Sequence, residues 1–198
     1  MAHAQSSTVS FVDALWPARG AMGVGRAVLL ALLGSALLTL SAKIQVPFYP
    51  VPMTMQTLVV LLIGIAFGFR LGVATVLLYL VEGAVGLPVF AGTPEKGIGL
   101  AYMLRPTGGY LAGFVLAAAI AGWIAERKRD PGSLALAVIT GSLAIYVPGV
   151  LWLARFVGFG KALELGLAPF LWADILKAAL AIALALGGAA MVRRRLGV

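Results

Sequence analysis

The chain has 198 residues, 62% of them hydrophobic and 11% charged, with a mean hydropathy of +1.04. Soluble domains sit near half apolar and a quarter charged, so this composition belongs in a lipid bilayer. It has no cysteine, which excludes disulfides, thiolate metal sites and cysteine nucleophiles, and its one histidine, His3, falls in a polar stretch that reads as solvated rather than catalytic.

The first ~20 residues are too mixed for the apolar core of a signal peptide, and residues 1–23 read as a polar cytoplasmic segment. Six apolar segments follow, at about 24–42, 53–69, 71–90, 107–125, 134–154 and 167–192. The second and third are separated only by the short "GFRLG" around Arg70, and "GAVGLPVF" is Gly-rich enough to end the third in a broken piece. Neither a linker nor an internal repeat appears, so residues 1–198 read as one domain, an all-α integral membrane protein of six transmembrane helices.

The net charge of +8 comes from basic residues placed at the ends of these segments. That is how topology determinants are placed, rather than a nucleic-acid surface. With the N-terminus inside, the inner side holds nine Lys and Arg and the outer side five, so both termini are expected in the cytoplasm. Three outer loops then remain, 41–52, 91–106 and 155–166, all richer in Pro, Gly, aromatic and polar residues than the inner turns.

The sixth segment carries Asp174 and Lys177, and charge at membrane depth is costly. The spacing of three puts both on one face, and entry near Leu167 puts Asp174 roughly 10 Å along the helix. They could merely neutralise one another, or hold an acceptor and a donor at fixed depth for a polar ligand. Glu82 is a weaker candidate. Gln56, one turn into the second segment, could bind a ligand or a neighbouring helix. "RPTGGYLAG" opens the fourth segment, where Arg105, Thr107 and Tyr110 flank a helix start suited to a carboxylate; a capped start with an interfacial Tyr is the plainer reading. Ala27, Ala31 and Ser35 form a small-residue stripe for internal packing or for a partner. No phosphate-binding loop is present, so the chain cannot itself hydrolyse ATP.

The stretches "PFYPVPMTMQTLVVLLIG", "LGVATVLLYLVEGAVGLPVFAG", "RPTGGYLAGFVLAA" and "ADILKAAL" resemble, in order, the BioY family, the biotin-specific substrate-binding (S) components of energy-coupling factor transporters. The resemblance covers most of residues 43–125 and the last helix. It implies a six-helix S component in the cytoplasmic membrane, binding biotin from outside. The implied partners are a transmembrane coupling subunit and two cytoplasmic ATPases, with no cofactor and no catalysis. It implies partner docking at Ala27 and Ala31 and ligand contacts at Asp174 and Lys177. The chain departs from some relatives in having Leu111 after "GGY" and "TPEKG" at 93–97.

Biotin's ureido group offers two N–H donors and one acceptor, which Asp174 and Gln56 could satisfy. Its rings want an apolar wall, with Phe48, Tyr49, Phe90, Tyr102, Tyr146 and Trp152 available, and its carboxylate wants a cation, either Lys177 or Arg105. An S component for riboflavin or thiamine, or an ion or proton channel relaying through Asp174, are the alternatives.

Overall fold

The computed structural model describes residues 10–18 and 20–196; His3, Arg19 and the side chain of Arg195 lie outside this description. The elements in order are α1 (Phe11–Leu15), α2 (Gly20–Lys43), β1 (Gln45–Val46), β2 (Met53–Thr54), α3 (Gln56–Ala84), α4 (Gly99–Met103), α5 (Gly108–Arg127), α6 (Pro131–Val157), α7 (Phe159–Gly166) and α8 (Leu171–Leu196). Among the described residues, five helical stretches are long and apolar enough to cross a membrane: Gly20–Lys43, Gln56–Ala84, Gly108–Arg127, Pro131–Val157 and Phe159–Arg194. The protein is a multi-pass helical membrane protein.

The stretch Gln56–Ala84 absorbs two of the expected segments. Its backbone breaks at Gly68, with φ 79° and ψ −179°, where a side chain would be strained. The arms 56–67 and 69–84 fold against each other. Gln56 Nε2 lies 2.7 Å from the Tyr79 hydroxyl, whereas 23 residues of unbroken helix would hold them roughly 34 Å apart. Glu126 Oε1 accepts from Phe69 N at 3.1 Å and so satisfies an amide at the start of the second arm.

Two of the loops expected on the outer side hold more secondary structure than the sequence implies. In 41–52, α2 runs on to Lys43, and β1 and β2 pair antiparallel with Gln45 opposite Thr54. In 155–166, α6 continues to Val157, Gly158 breaks the chain at φ 82°, and α7 occupies the rest. The polar N-terminal segment also gives way to helix, because α1 and the first turns of α2 both precede residue 24.

The bundle's centre is α5, pressed between α3 and α6 by small side chains. Ala117, Ala118 and Ala121 are fully buried. A Cβ on Gly64 would sit 2.7 Å from the Ala118 carbonyl oxygen, and one on Gly122 would sit 2.6 Å from the backbone of Gly68 and Phe69. Such close approach replaces the hydrophobic drive that lipid does not supply. By contrast α2 presents Val24, Val28, Leu32 and Leu40 outward and packs inward through Gly34, Leu38 and Ala42. It is pinned to the bundle at three heights: Arg26 pairs with Asp13, Ser35 donates to Glu82, and Lys43 holds loop carbonyls.

At the foot of α2, Asp13 also accepts from Ser10 Oγ at 2.8 Å. Burial works to raise the pKa of this carboxyl, but the Arg26 hydrogen bond, the Ser10 bonds and the Arg26 charge outweigh it and hold it below its ordinary value. A depressed carboxyl stabilises the fold above its unfolded pKa of about 3.9, and that contribution is lost as pH falls through the folded value.

Two outcomes follow for the purified protein in detergent. Gly122→Ala should lower stability by about 1–3 kcal/mol, because the nearest atoms are backbone and cannot give way. Gly187→Ala, which meets open space, should be neutral or slightly stabilising. Thermal unfolding of both variants checks this, and equal midpoints would overturn the packing assignment. Second, the Asp13 side chain is 44% exposed, so Asp13→Asn should cost less than about 1 kcal/mol at pH 7. That gap should close below about pH 4. A gap that persists into acid would assign the loss to something other than the ion pair.

Candidate ligand-binding site

The segment "PVPMTMQT" turns from β2 into α3, placing Thr54, Gln56 and Thr57 together at the upper end of the first arm. Opposite it, residues 168–170 form a single 3-10 turn with Pro169, and α8 begins at Leu171. Asp174 therefore falls in the first turn of α8, nearer the helix start than the apolar span suggested. The positive end of the helix dipole favours a carboxylate there. Lys177 lies one turn deeper.

The two side chains are 10% and 12% exposed, Lys177 and Asp174 respectively, and bond at 2.8 Å. Lys177 Nζ also donates to the Thr54 carbonyl at 2.6 Å and to Thr57 Oγ1 at 3.3 Å. An ammonium has three N–H groups, so all three are committed. Asp174 Oδ1 accepts from Thr57 Oγ1 at 3.2 Å, and Oδ2 accepts from the Tyr146 hydroxyl of α6. Three elements, α3, α6 and α8, thus meet at one charge pair. Breaking such a pair from one side costs about 3–5 kcal/mol, because the remaining charge is left buried alone.

Above the pair opens a cleft walled by Val51, Pro52, Tyr102, Tyr110, Phe114, Ile145, Tyr146 and Phe170, with Gln56, Thr57 and Thr107 as neutral polar groups. Gln56 is 3% exposed. Its Nε2 donates to the Tyr79 hydroxyl, which in turn donates to the Val89 carbonyl at 3.2 Å. That chain fixes the amide's orientation and leaves its oxygen and second N–H for a ligand. Thr107 lies near the Tyr102 hydroxyl, but Tyr102 donates to the Ala91 carbonyl at 2.7 Å, and Thr107 Oγ1 is left buried without a hydrogen-bond partner. A cleft of mostly apolar and aromatic walls with a few fixed polar groups is what a small organic ligand requires.

A second groove opens outward between α6, α7 and α8. It is lined by Leu143, Val147, Leu151, Phe159, Leu163 and Ile175 among others, and it shares Tyr146 and Asp174 with the cleft.

Of the residues singled out from the sequence, Asp174, Lys177, Gln56, Thr107 and Tyr110 line the cleft together. Tyr110 contributes its ring, since its hydroxyl donates to the Gly166 carbonyl at 2.8 Å. Three others are placed elsewhere. Tyr49 is 89% exposed at the tip of the β1–β2 hairpin, while its neighbour Phe48 lies 6.1 Å from the Phe170 ring. Phe90 is fully buried one layer behind the wall, edge-on to Tyr79 and stacked on Tyr102 at 4.9 Å. Arg105 is exposed, its guanidinium donates to the Lys96 carbonyl at 3.0 Å, and its own carbonyl accepts from Trp152 Nε1 at 2.9 Å.

Ala27 and Ala31 are half-buried on the inward flank of α2, in line with the buried Ser35. Thr57 carries no signal that sets it apart in sequence. Tyr146 stands out only as one aromatic among several.

The sequence profile described as the BioY family matches residues 13–194. A protein of Pyrococcus horikoshii named "Probable biotin transporter BioY" is 45% identical over 150 residues, covering 76% of this chain and 88% of that one. The "Biotin transporter BioY" of Thermotoga maritima is 39% identical over 153 residues, covering 77% and 89%. Among solved structures, the S-component for biotin from an ECF-type ABC transporter superposes with a TM-score of 0.74 at 21% identity, covering 85% of this chain and 93% of that one.

The charge pair makes a ligand-free prediction. Lys177→Met should lower the unfolding midpoint sharply, a loss of about 3–5 kcal/mol, and adding Asp174→Leu should recover most of it. If the double variant is no more stable than the single one, the cost lies in packing around Lys177 rather than in a stranded carboxylate.

Proposed function

Because the chain belongs to the BioY family, we propose that it captures biotin in this cleft as the substrate-binding component of an energy-coupling factor transporter. It then acts in the cytoplasmic membrane as a single transmembrane unit, a transport component and not an enzyme. A transmembrane coupling subunit and two ATPases supply the energy that a chain without a phosphate-binding loop cannot. Counting the two arms of α3 separately gives six crossings, which leaves both termini cytoplasmic as the Lys and Arg distribution requires.

The observation that carries this reading is a buried carboxylate held in place at the base of an aromatic cleft. Biotin's ureido N–H groups need an acceptor, and Asp174 provides one that is already ordered. Gln56 offers its oxygen to a second N–H or its free N–H to the ureido oxygen. The fused rings meet Tyr102, Tyr110, Phe114 and Tyr146. Lys177, with all three donors committed within the protein, acts as the fixed counter-ion to Asp174 rather than as the clamp for the valerate carboxylate. Ala27 and Ala31 serve docking of the coupling subunit.

Biotin titration of the detergent-purified chain tests the reading, and affinity weaker than micromolar would sink it. Asp174→Asn keeps the shape but turns one acceptor oxygen into a donor, and it should weaken binding at least tenfold, about 1.4 kcal/mol. Lys177→Met should weaken biotin and an analogue lacking the carboxylate equally. A selective loss for biotin would return the carboxylate to Lys177. Bulky residues at Ala27 and Ala31 should abolish concentrative uptake while sparing biotin binding; parallel losses would make the stripe internal packing.

A further inference from the structure

Lys43, the last residue of α2, does not line the cleft, yet its ammonium is surrounded by acceptors of the α3–α4 loop. Nζ lies 2.7 Å from the Pro88 carbonyl, 3.0 Å from the Phe90 carbonyl, 3.1 Å from the Thr93 carbonyl and 3.0 Å from Thr93 Oγ1. Four oxygens from a six-residue stretch converge on one cation, which offsets the mutual repulsion of carbonyl dipoles pointing at one spot. The same stretch is tied to the cleft at three places. Tyr79 hangs its hydroxyl on the Val89 carbonyl and so orients Gln56. Phe90 backs Tyr102. The Ala91 carbonyl receives the Tyr102 hydroxyl, and Ala91 itself lines the cleft.

We propose that Lys43 is a positioning residue for ligand binding. Its ammonium holds residues 88–93 in the shape that sets Gln56 and Tyr102, and it joins that wall of the cleft to the outer end of α2. An ammonium suits this task better than a guanidinium, because its donors radiate from one point toward converging oxygens, whereas the planar fork of Arg matches parallel ones. The assignment rests on biotin being the ligand of the cleft.

The test uses the purified full chain, with Lys43→Ala and the shorter, neutral Lys43→Gln. Both should release biotin faster, the alanine variant by about tenfold and the glutamine variant by less. The Lys43 stem is exposed, so added methylammonium chloride can reach the vacated oxygens. It should restore at least half of the lost affinity of Lys43→Ala, while tetramethylammonium chloride at equal ionic strength, which has no N–H, should restore none. A loss through general destabilisation would not distinguish the two salts. Amide exchange over residues 86–94, measured with no ligand present, should rise severalfold in both variants.

Unchanged biotin release, equal response to the two salts, or unchanged exchange would each overturn the assignment. Failure of the unsubstituted chain to bind biotin rejects the ligand instead, and the exchange measurement then decides the role of Lys43 alone.

Discussion

A carboxylate and an ammonium can stay charged inside an apolar bundle only while each unused lone pair and N–H finds a partner. Asp174 and Lys177 find theirs on four separate elements: the Thr54 carbonyl at the end of β2, Thr57 at the start of α3, Tyr146 in the middle of α6, and each other along α8. This requirement organises the cleft end of the bundle. The first arm of α3 must begin where its second residue reaches α8. The chain must also break between α7 and α8, so that Asp174 arrives at a helix start rather than mid-helix. A pair with a single interaction would only neutralise itself; a pair with this many partners also fixes the distances among three helices, and the cleft is the space those distances leave.

The depth of burial elsewhere follows from a different rule. Around α5 the side chains are Gly and Ala, and the backbones of α3 and α6 approach until only those residues fit. The rigid centre and the polar node are therefore built from opposite materials, the first from residues small enough for backbones to touch and the second from particular polar groups. Between them stands α2, which shares in the centre through Gly34 and Leu38 but is otherwise held by polar contacts at its two ends and its middle.

How much of this is legible in sequence follows the range of the interactions. Apolar runs, the break at "GFRLG" and the shared face of Asp174 and Lys177 are local patterns, and local periodicity reads them. The partners of the pair are not local. Tyr146 is 28 residues from Asp174, Thr57 is 117, and nothing in either neighbourhood links them to Asp174. Tyr49, in a Pro-rich aromatic loop, has the more suggestive neighbourhood and ends at the surface, while Phe90 is drawn behind the wall by Tyr79 and Tyr102. Residues 155–166 read as loop because Lys161 and Glu164 interrupt the apolar run; both stay exposed on a helix that buries Ala162 and Gly166.

The outward groove between α6, α7 and α8 gives the Tyr146 hydroxyl a meaning beyond its hydrogen bond. Groove and cleft have two residues in common, Tyr146 and Asp174, so at this point the same two side chains wall both spaces. There the phenol donates to the carboxylate. A carboxylate oxygen has two lone pairs, so a guest can bond to it while the phenol stays in place. Because the wall is shared, whatever repositions Tyr146 from one side reshapes the other.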